Sequence, residues 1–109
     1  MPLVLEGLRV IDVSQGVPGP LCAMMLGDLG AQVTKVEPLD GDWLRQIGPF
    51  VQGESALFIR LNRNKKGICL NLKQEKGKEV FLRLVQGADI LIEGYRPGAM
   101  DKLGLSYEA

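Results

Sequence analysis

Three short stretches of this chain hold residue types that could grip a ligand. Gly16-Val17-Pro18-Gly19-Pro20 follows an apolar run. A glycine turn in that place lets a ligand approach the backbone and the start of a following helix. Arg63, Lys65 and Lys66 alternate with Asn62 and Asn64, and Lys73, Lys76 and Lys78 come soon after. Such a cluster suits phosphate, or simply a solvated face. Tyr95-Arg96-Pro97-Gly98 sets an aromatic ring beside a guanidinium. Arg96 has the fork geometry for a phosphate or carboxylate, and its bland role is to cap nearby carbonyls. Trp43 is the single tryptophan. It could stack on a ligand or cover part of the core.

Other chemistry is narrowed by what the chain lacks. It contains no histidine. Ser-His-Asp and Cys-His catalysis, His-ligated zinc and a histidine pH switch are therefore excluded within it. Cys22 and Cys69 stand far apart, which suits buried reduced thiols and gives neither a disulfide framework nor a four-thiolate metal site. Thirteen basic residues balance thirteen acidic ones, so no global field draws the chain to nucleic acid or an anionic membrane. Glu37 lies about 20 residues past the glycine turn, where an acid holds ribose in dinucleotide folds. The GxGxxG pattern is absent, however, and Pro20 removes an amide that a phosphate cradle would use. Asp12 and Asp28 read as structural. No carboxylate pair, metal constellation or activated nucleophile follows from spacing.

The elements that must position these residues alternate along 109 residues, enough for one small domain. Leu8–Val13 reads as a strand and Ser14–Gly19 as a turn. Pro20–Leu29 reads as an amphipathic helix, with Leu21, Met25 and Leu29 as its buried stripe and Met24, Met25 and Leu26 in the core. Ala31–Glu37 is a second strand. Pro38–Gly53 is a loop, and Glu54–Leu61 a short helix buried through Leu57, Phe58 and Leu61. Asn62–Gly67 is a basic turn and Ile68–Leu72 a third strand. Gln74–Val85 is a helix buried through Val80, Phe81, Leu84 and Val85. Ala88–Glu93 is a fourth strand, apolar enough to be buried on both faces. A short helix, Ala99–Leu103, follows Gly94–Gly98. The expected fold is thus α/β, a Rossmann-like open parallel sheet with βαβ crossovers. With strand order 3-2-1-4, the loops Ser14–Gly19 and Gly94–Gly98 flank one crevice at the carboxyl ends of the strands.

Read in order, several short motifs resemble the beginning of the class III CoA-transferases of the CaiB/BaiF type. They are Leu5-Glu6-Gly7-Leu8-Arg9-Val10-Ile11-Asp12, Pro18-Gly19-Pro20, Leu29-Gly30-Ala31 and Lys35-Val36-Glu37-Pro38. Asn62-Arg63-Asn64-Lys65-Lys66, Leu70-Asn71-Leu72-Lys73, Gly77, Ala88-Asp89, Glu93-Gly94-Tyr95-Arg96-Pro97-Gly98 and Leu103-Gly104-Leu105 continue the series. That family includes formyl-CoA transferase, the carnitine CoA-transferase and α-methylacyl-CoA racemase. The resemblance implies that residues 1–109 are the N-terminal part of a CoA-binding Rossmann-like domain, in an enzyme that forms an intertwined homodimer. It implies that Gly16, Val17 and Pro18 line the thioester end of CoA. Leu70, Asn71 and Lys73 then lie near the nucleotide portion, and Lys102 and Arg96 meet phosphate. It departs at Pro38, where formyl-CoA transferase has an arginine near adenine, and at Val17, where that enzyme has a catalytic glutamine. Formyl or oxalyl specificity is therefore not implied.

In that family the transferases use an aspartate nucleophile and the racemases a histidine and aspartate pair. The resemblance places both beyond Ala109, so no catalytic residue is assigned within the chain. The expected activity is transfer of CoA between an acyl-CoA and a carboxylic acid acceptor. Coenzyme A is then a substrate, with no permanently bound cofactor and no metal. A cytoplasmic location without nucleic-acid or membrane partners goes with it. The alternatives are a racemase of the same family, a non-catalytic nucleotide-binding α/β module, and a purely structural domain.

Overall fold

A computed structural model describes residues 2–107. Four strands form one sheet: β1 (Arg9–Asp12), β2 (Gln32–Glu37), β5 (Lys65–Cys69) and β6 (Ile90–Ile92). Their order is β5-β2-β1-β6, and every pairing is parallel. This is the 3-2-1-4 arrangement, the condition under which the sequence sets the Ser14–Gly19 and Gly94–Gly98 loops side by side, with the first and fourth strands as neighbours. The helices α1 (Pro18–Asp28) and α3 (Glu75–Gln86) are crossovers between parallel strands. They cover opposite faces, as the alternation of β1 requires. Val10 packs with Ala23 of α1, Ala31 and Val33. Its neighbour Ile11 packs with Val13, Val36, Phe81 of α3 and Leu105. Successive side chains of a strand point to opposite faces, so both stretches of apolar surface are needed to bury one central strand.

The buried face of α1 is not the expected stripe. Met25 and Leu29 are about half exposed, at 55% and 48%, and Leu21 is exposed too. The helix instead buries Pro20, Ala23, Met24 and Gly27, which recur at i, i+3, i+4 and i+7. Small residues win this face because they let the helix approach the sheet: a Cβ on Gly27 would sit 3.4 Å from a Val33 methyl. The same choice places Val17, Leu21, Met25 and Leu29 outward at four-residue spacing.

The stretch 38–53 is more ordered than a loop. A 3-10 turn, Trp43–Gln46, is followed by a hairpin of β3 (Phe50–Val51) and β4 (Glu54–Ser55). Gln52 and Gly53 both have positive φ, the conformation of a two-residue hairpin turn. The helix α2 (Ala56–Leu61) then starts at Ser55, whose hydroxyl accepts from the Phe58 amide. Leu61 is buried with Met24 and Leu44, and Leu57 and Phe58 pack against them.

Four further expectations need correction. Cys22 and Cys69 are exposed instead of buried, because Cys22 falls outside the buried face of α1 and Cys69 ends β5, the outermost strand among the described residues. β5 begins at Lys65, inside what reads as a basic turn, because Lys65 has a buried acidic partner, Asp12, described below. In α3 the buried side chain is Phe81, while Val80 is 38% exposed. β6 pairs with β1 alone among the described residues, so its Leu91 is 40% exposed instead of buried. The short helix α4 (Ala99–Lys102) follows the Gly94–Gly98 turn as expected. No helix among the described residues is long and apolar enough to cross a membrane.

Candidate functional site

The carboxyl ends of the parallel strands meet at a cavity of about 400 Å³. Val13 and Gln15 reach it from β1, Glu37 to Asp40 from β2, Leu70 to Lys73 from β5 and Tyr95 from β6. It lies where strand order reverses, the place at which open α/β sheets bind ligands. Leu70, Asn71 and Lys73, three of the residues singled out in the sequence, are brought together on its wall. The turn that carries them is closed by the Asn71 side chain, which accepts from the Lys73 amide at 3.1 Å. It rests on Gly77 of α3, where a Cβ would collide with the Asn71 carbonyl. Lys73 itself is exposed and has no ion-pair partner among those found in the described residues.

The two loops expected to flank a crevice do touch. The Gln15 amide donates to the Tyr95 hydroxyl at 3.2 Å, and its oxygen accepts from the Trp43 amide at 3.3 Å. Gly16 is buried with φ of +83°, and the Trp43 indole lies where a Cβ on Gly16 would be. Val17 and Pro18 are exposed at the start of α1 and, like Gly16, they do not line the 400 Å³ cavity. Arg96 is elsewhere. It lines a second cavity of about 630 Å³, on the far side of β6, with Glu93, Leu91 and Pro97. Lys102 is exposed on α4 and lines neither cavity.

The region between the loops after β1 and β2 is dominated by buried charge. Asp12, Lys35 and Asp42 are each at most 2% exposed. Lys65 Nζ lies 2.9 Å from Asp12 Oδ2 and also donates to the Pro20 carbonyl and to Asn62 Oδ1. Asp12 Oδ1 accepts from the Ser14 amide and hydroxyl. Lys35 Nζ lies 2.8 Å from Asp42 Oδ2, 4.0 Å from Asp12 Oδ2 and donates to the Ser14 carbonyl. Asp42 Oδ1 accepts from the amides of Gly16 and Leu44. Burial pushes Lys65 below the ordinary lysine value, against the pull of Asp12. Burying an ammonium group this deeply is costly unless it is paired and hydrogen-bonded, as Lys65 is.

This arrangement removes two candidate roles. Glu37 is not free to hold ribose. Its carboxylate takes both Arg45 Nε and Nη2, at 2.8 and 2.7 Å, and the Asp42 amide at 2.7 Å. The Arg45 hydrogen bonds hold its carboxyl below the usual carboxylate value, with burial opposing. The basic stretch 62–66 is also largely committed, since Lys65 is buried and Arg63 pairs with Asp28. A pyrophosphate cradle at α1 is poorly supplied as well. Pro18 and Pro20 have no N–H, and the Gly16 amide already serves Asp42. Sequence reasoning missed Gln15, Lys35 and Asp42. Lys35 did leave a signal: it shares the inward face of β2 with Val33 and Glu37, so it required a buried acid.

Residues 5–109 match CoA-transferase family III. Acetyl-CoA:oxalate CoA-transferase of Acetobacter aceti is 46% identical over 94% of this chain and 27% of its own length. Mouse succinyl-CoA:glutarate CoA-transferase is 45% identical over 95% of this chain and 24% of its own. The crystal structure of a CAIB/BAIF family protein from Brucella suis superposes with a TM-score of 0.92 at 40% identity, covering 99% of this chain and 30% of that one. The chain therefore spans about a quarter to three-tenths of the proteins it resembles.

Proposed function

The chain belongs to CoA-transferase family III, and on that premise we propose that it supplies the coenzyme A-binding part of an enzyme that moves CoA from an acyl-CoA to a carboxylic acid. The observation that carries this reading is the crevice at the strand ends. Leu70, Asn71 and Lys73 converge there with Gln15 and Tyr95, at the switch point of a parallel sheet. In this reading the nucleotide portion of CoA lies against Leu70, Asn71 and Lys73. The pantetheine arm runs toward Gly16, Val17 and Pro18, so that the sulfur is delivered near Trp43. Arg96 and Lys102 are assigned to phosphate by resemblance, and their position outside the 400 Å³ cavity makes Lys73 the first residue to test.

The relatives support a transferase over a racemase, since those named above transfer CoA between acids. Their acids differ while their identities to this chain are nearly equal, so identity does not select the acceptor. The nucleophilic aspartate is assigned to a part of the family that residues 1–109 do not match. This chain's own contribution is to bind CoA, hold its thioester end and keep the turn beneath it rigid. The protein is proposed to be a homodimer in the cytoplasm.

Calorimetric titration of coenzyme A into the protein tests the reading. Lys73→Ala should weaken binding about tenfold, the loss expected when one charged hydrogen bond to phosphate is removed. An unchanged affinity in Lys73→Ala and in the triple Lys73→Ala, Arg96→Ala, Lys102→Ala variant rejects the assignment. Binding of NAD in preference to CoA would favour a dinucleotide module instead.

A further inference from the structure

Buried charge in this protein is concentrated behind one turn. Lys65, Asp12, Lys35 and Asp42 form a line of alternating sign that crosses from β5 through β1 and β2 to the 3-10 turn. The hydrogen bonds left over from these ion pairs go mainly to one backbone segment. Asp12 accepts from the Ser14 amide and Asp42 from the Gly16 amide, while Lys35 donates to the Ser14 carbonyl and Lys65 to the Pro20 carbonyl. Ion pairs this deeply buried contribute little net stability over an apolar core of the same shape, because desolvation offsets the attraction. What they do supply is a fixed geometry for the groups they hold.

We propose that Lys35 and Asp42 are positioning residues for the ligand site: their buried ion pair holds the Gly16 turn beneath the Trp43 indole. The proposal rests on the reading that this turn receives the thioester end of CoA. Asp42 is the hinge of the arrangement. One carboxylate oxygen joins Gly16 to Leu44 by accepting both amides, at 3.0 and 2.9 Å. The other lies 2.8 Å from Lys35 Nζ, an ion-pair contact without hydrogen-bond alignment, and has no hydrogen-bond partner among the described residues. Trp43, between Asp42 and Leu44 in the chain, is thereby set over Gly16, and its own amide is tied to Gln15. Glu37 completes the support by taking the Asp42 amide. Lys35, Asp42, Gly16 and Trp43 all lie outside the lining of the 400 Å³ cavity, and the link to its wall runs through Gln15, whose side-chain oxygen accepts from the Trp43 amide.

The test compares the wild-type protein with the double variant Lys35→Met, Asp42→Asn, which removes both buried charges together and leaves neither unpaired. Coenzyme A is titrated calorimetrically and the melting temperature is measured on the same samples. Affinity should fall about tenfold while the melting temperature moves by only a few degrees, since displacing a ligand-positioning group by an ångström is costly for function. A melting temperature that drops with affinity unchanged in the folded protein makes the pair merely structural and overturns the proposal. Hydrogen exchange of wild-type protein supplies a measurement that needs no variant. The Gly16 amide should be among the slow-exchanging amides before ligand is added, and exchange at the rate of an open loop also overturns it. If wild-type protein fails to bind coenzyme A, the ligand reading is what has failed. In that case the Gly16 exchange rate still decides whether the pair holds the turn.

Discussion

Gly16 combines a positive φ with an indole packed on its Cα, and either feature alone would favour glycine. Gly16→Ala must strain the backbone and displace Trp43. A loss of about 1–2 kcal/mol is expected in chemical unfolding, accompanied by a shift in the emission of Trp43. Glu37 offers a test by pH. Its carboxyl is held below the ordinary value of 4.5 by Arg45, so the native state binds its proton less readily than the unfolded chain. The stability supplied by this carboxylate is therefore complete above about pH 4.5 and disappears as pH falls through the lowered folded value. Glu37→Gln should be less stable than wild type by about 1–2 kcal/mol at pH 7, and the two unfolding curves should converge under acid conditions. A gap that stays constant down to pH 3 would show that the charge is not what matters. At this scale the sequence is only partly informative. Glu37 stands where ribose-binding acids stand, yet Arg45, eight residues on, takes it up. No local pattern distinguishes an acid held by its own chain from one held for a ligand.

The elements show why spacing alone misled for α1. Apolar residues surround this helix, so the largest side chains marked a stripe that size alone excludes from close approach to the sheet. Pro20, Ala23, Met24 and Gly27 carry the same helical period and are buried. Met24→Ala should therefore cost about 2–3 kcal/mol, and Met25→Ala within about 0.5 kcal/mol, in parallel denaturant titrations. Equal losses would restore the stripe first expected. α3 offers a sharper case. Glycine to alanine inside a helix ordinarily gains about 1 kcal/mol. Gly77→Ala should instead lose 1–3 kcal/mol, because the new methyl strikes the Asn71 carbonyl. It should also weaken coenzyme A binding by moving the turn that carries Lys73. Strand β5 was misplaced for a different reason: its first residues, Lys65 and Lys66, have turn-like polarity, and only the distant Asp12 makes a buried lysine tolerable there.

For the whole molecule, the parallel α/β architecture was legible and its strand order was not. Alternating helical and strand-like segments leave few parallel topologies, and the adjacency of the first and last strands holds only in the 3-2-1-4 order that the structure supplies. What the alternation could not reveal is the exposure of β6. Its apolar run reads as central, while in residues 2–107 it pairs on one side and borders the 630 Å³ cavity with Phe81, Leu82 and Met100. The proposed function gives this chain the binding of coenzyme A and assigns acyl chemistry to no residue within its 109. The isolated chain should accordingly show no acyl exchange, and detectable exchange by purified chain would contradict that division. In the proposed function coenzyme A lies across the carboxyl ends of the strands. A crystal structure of the protein with coenzyme A bound tests it most directly. The account predicts the nucleotide against Leu70, Asn71 and Lys73, with the sulfur directed toward Gly16 and Trp43. A nucleotide seated beside Arg96 in the cavity beyond β6, with the strand-end crevice empty, would contradict it.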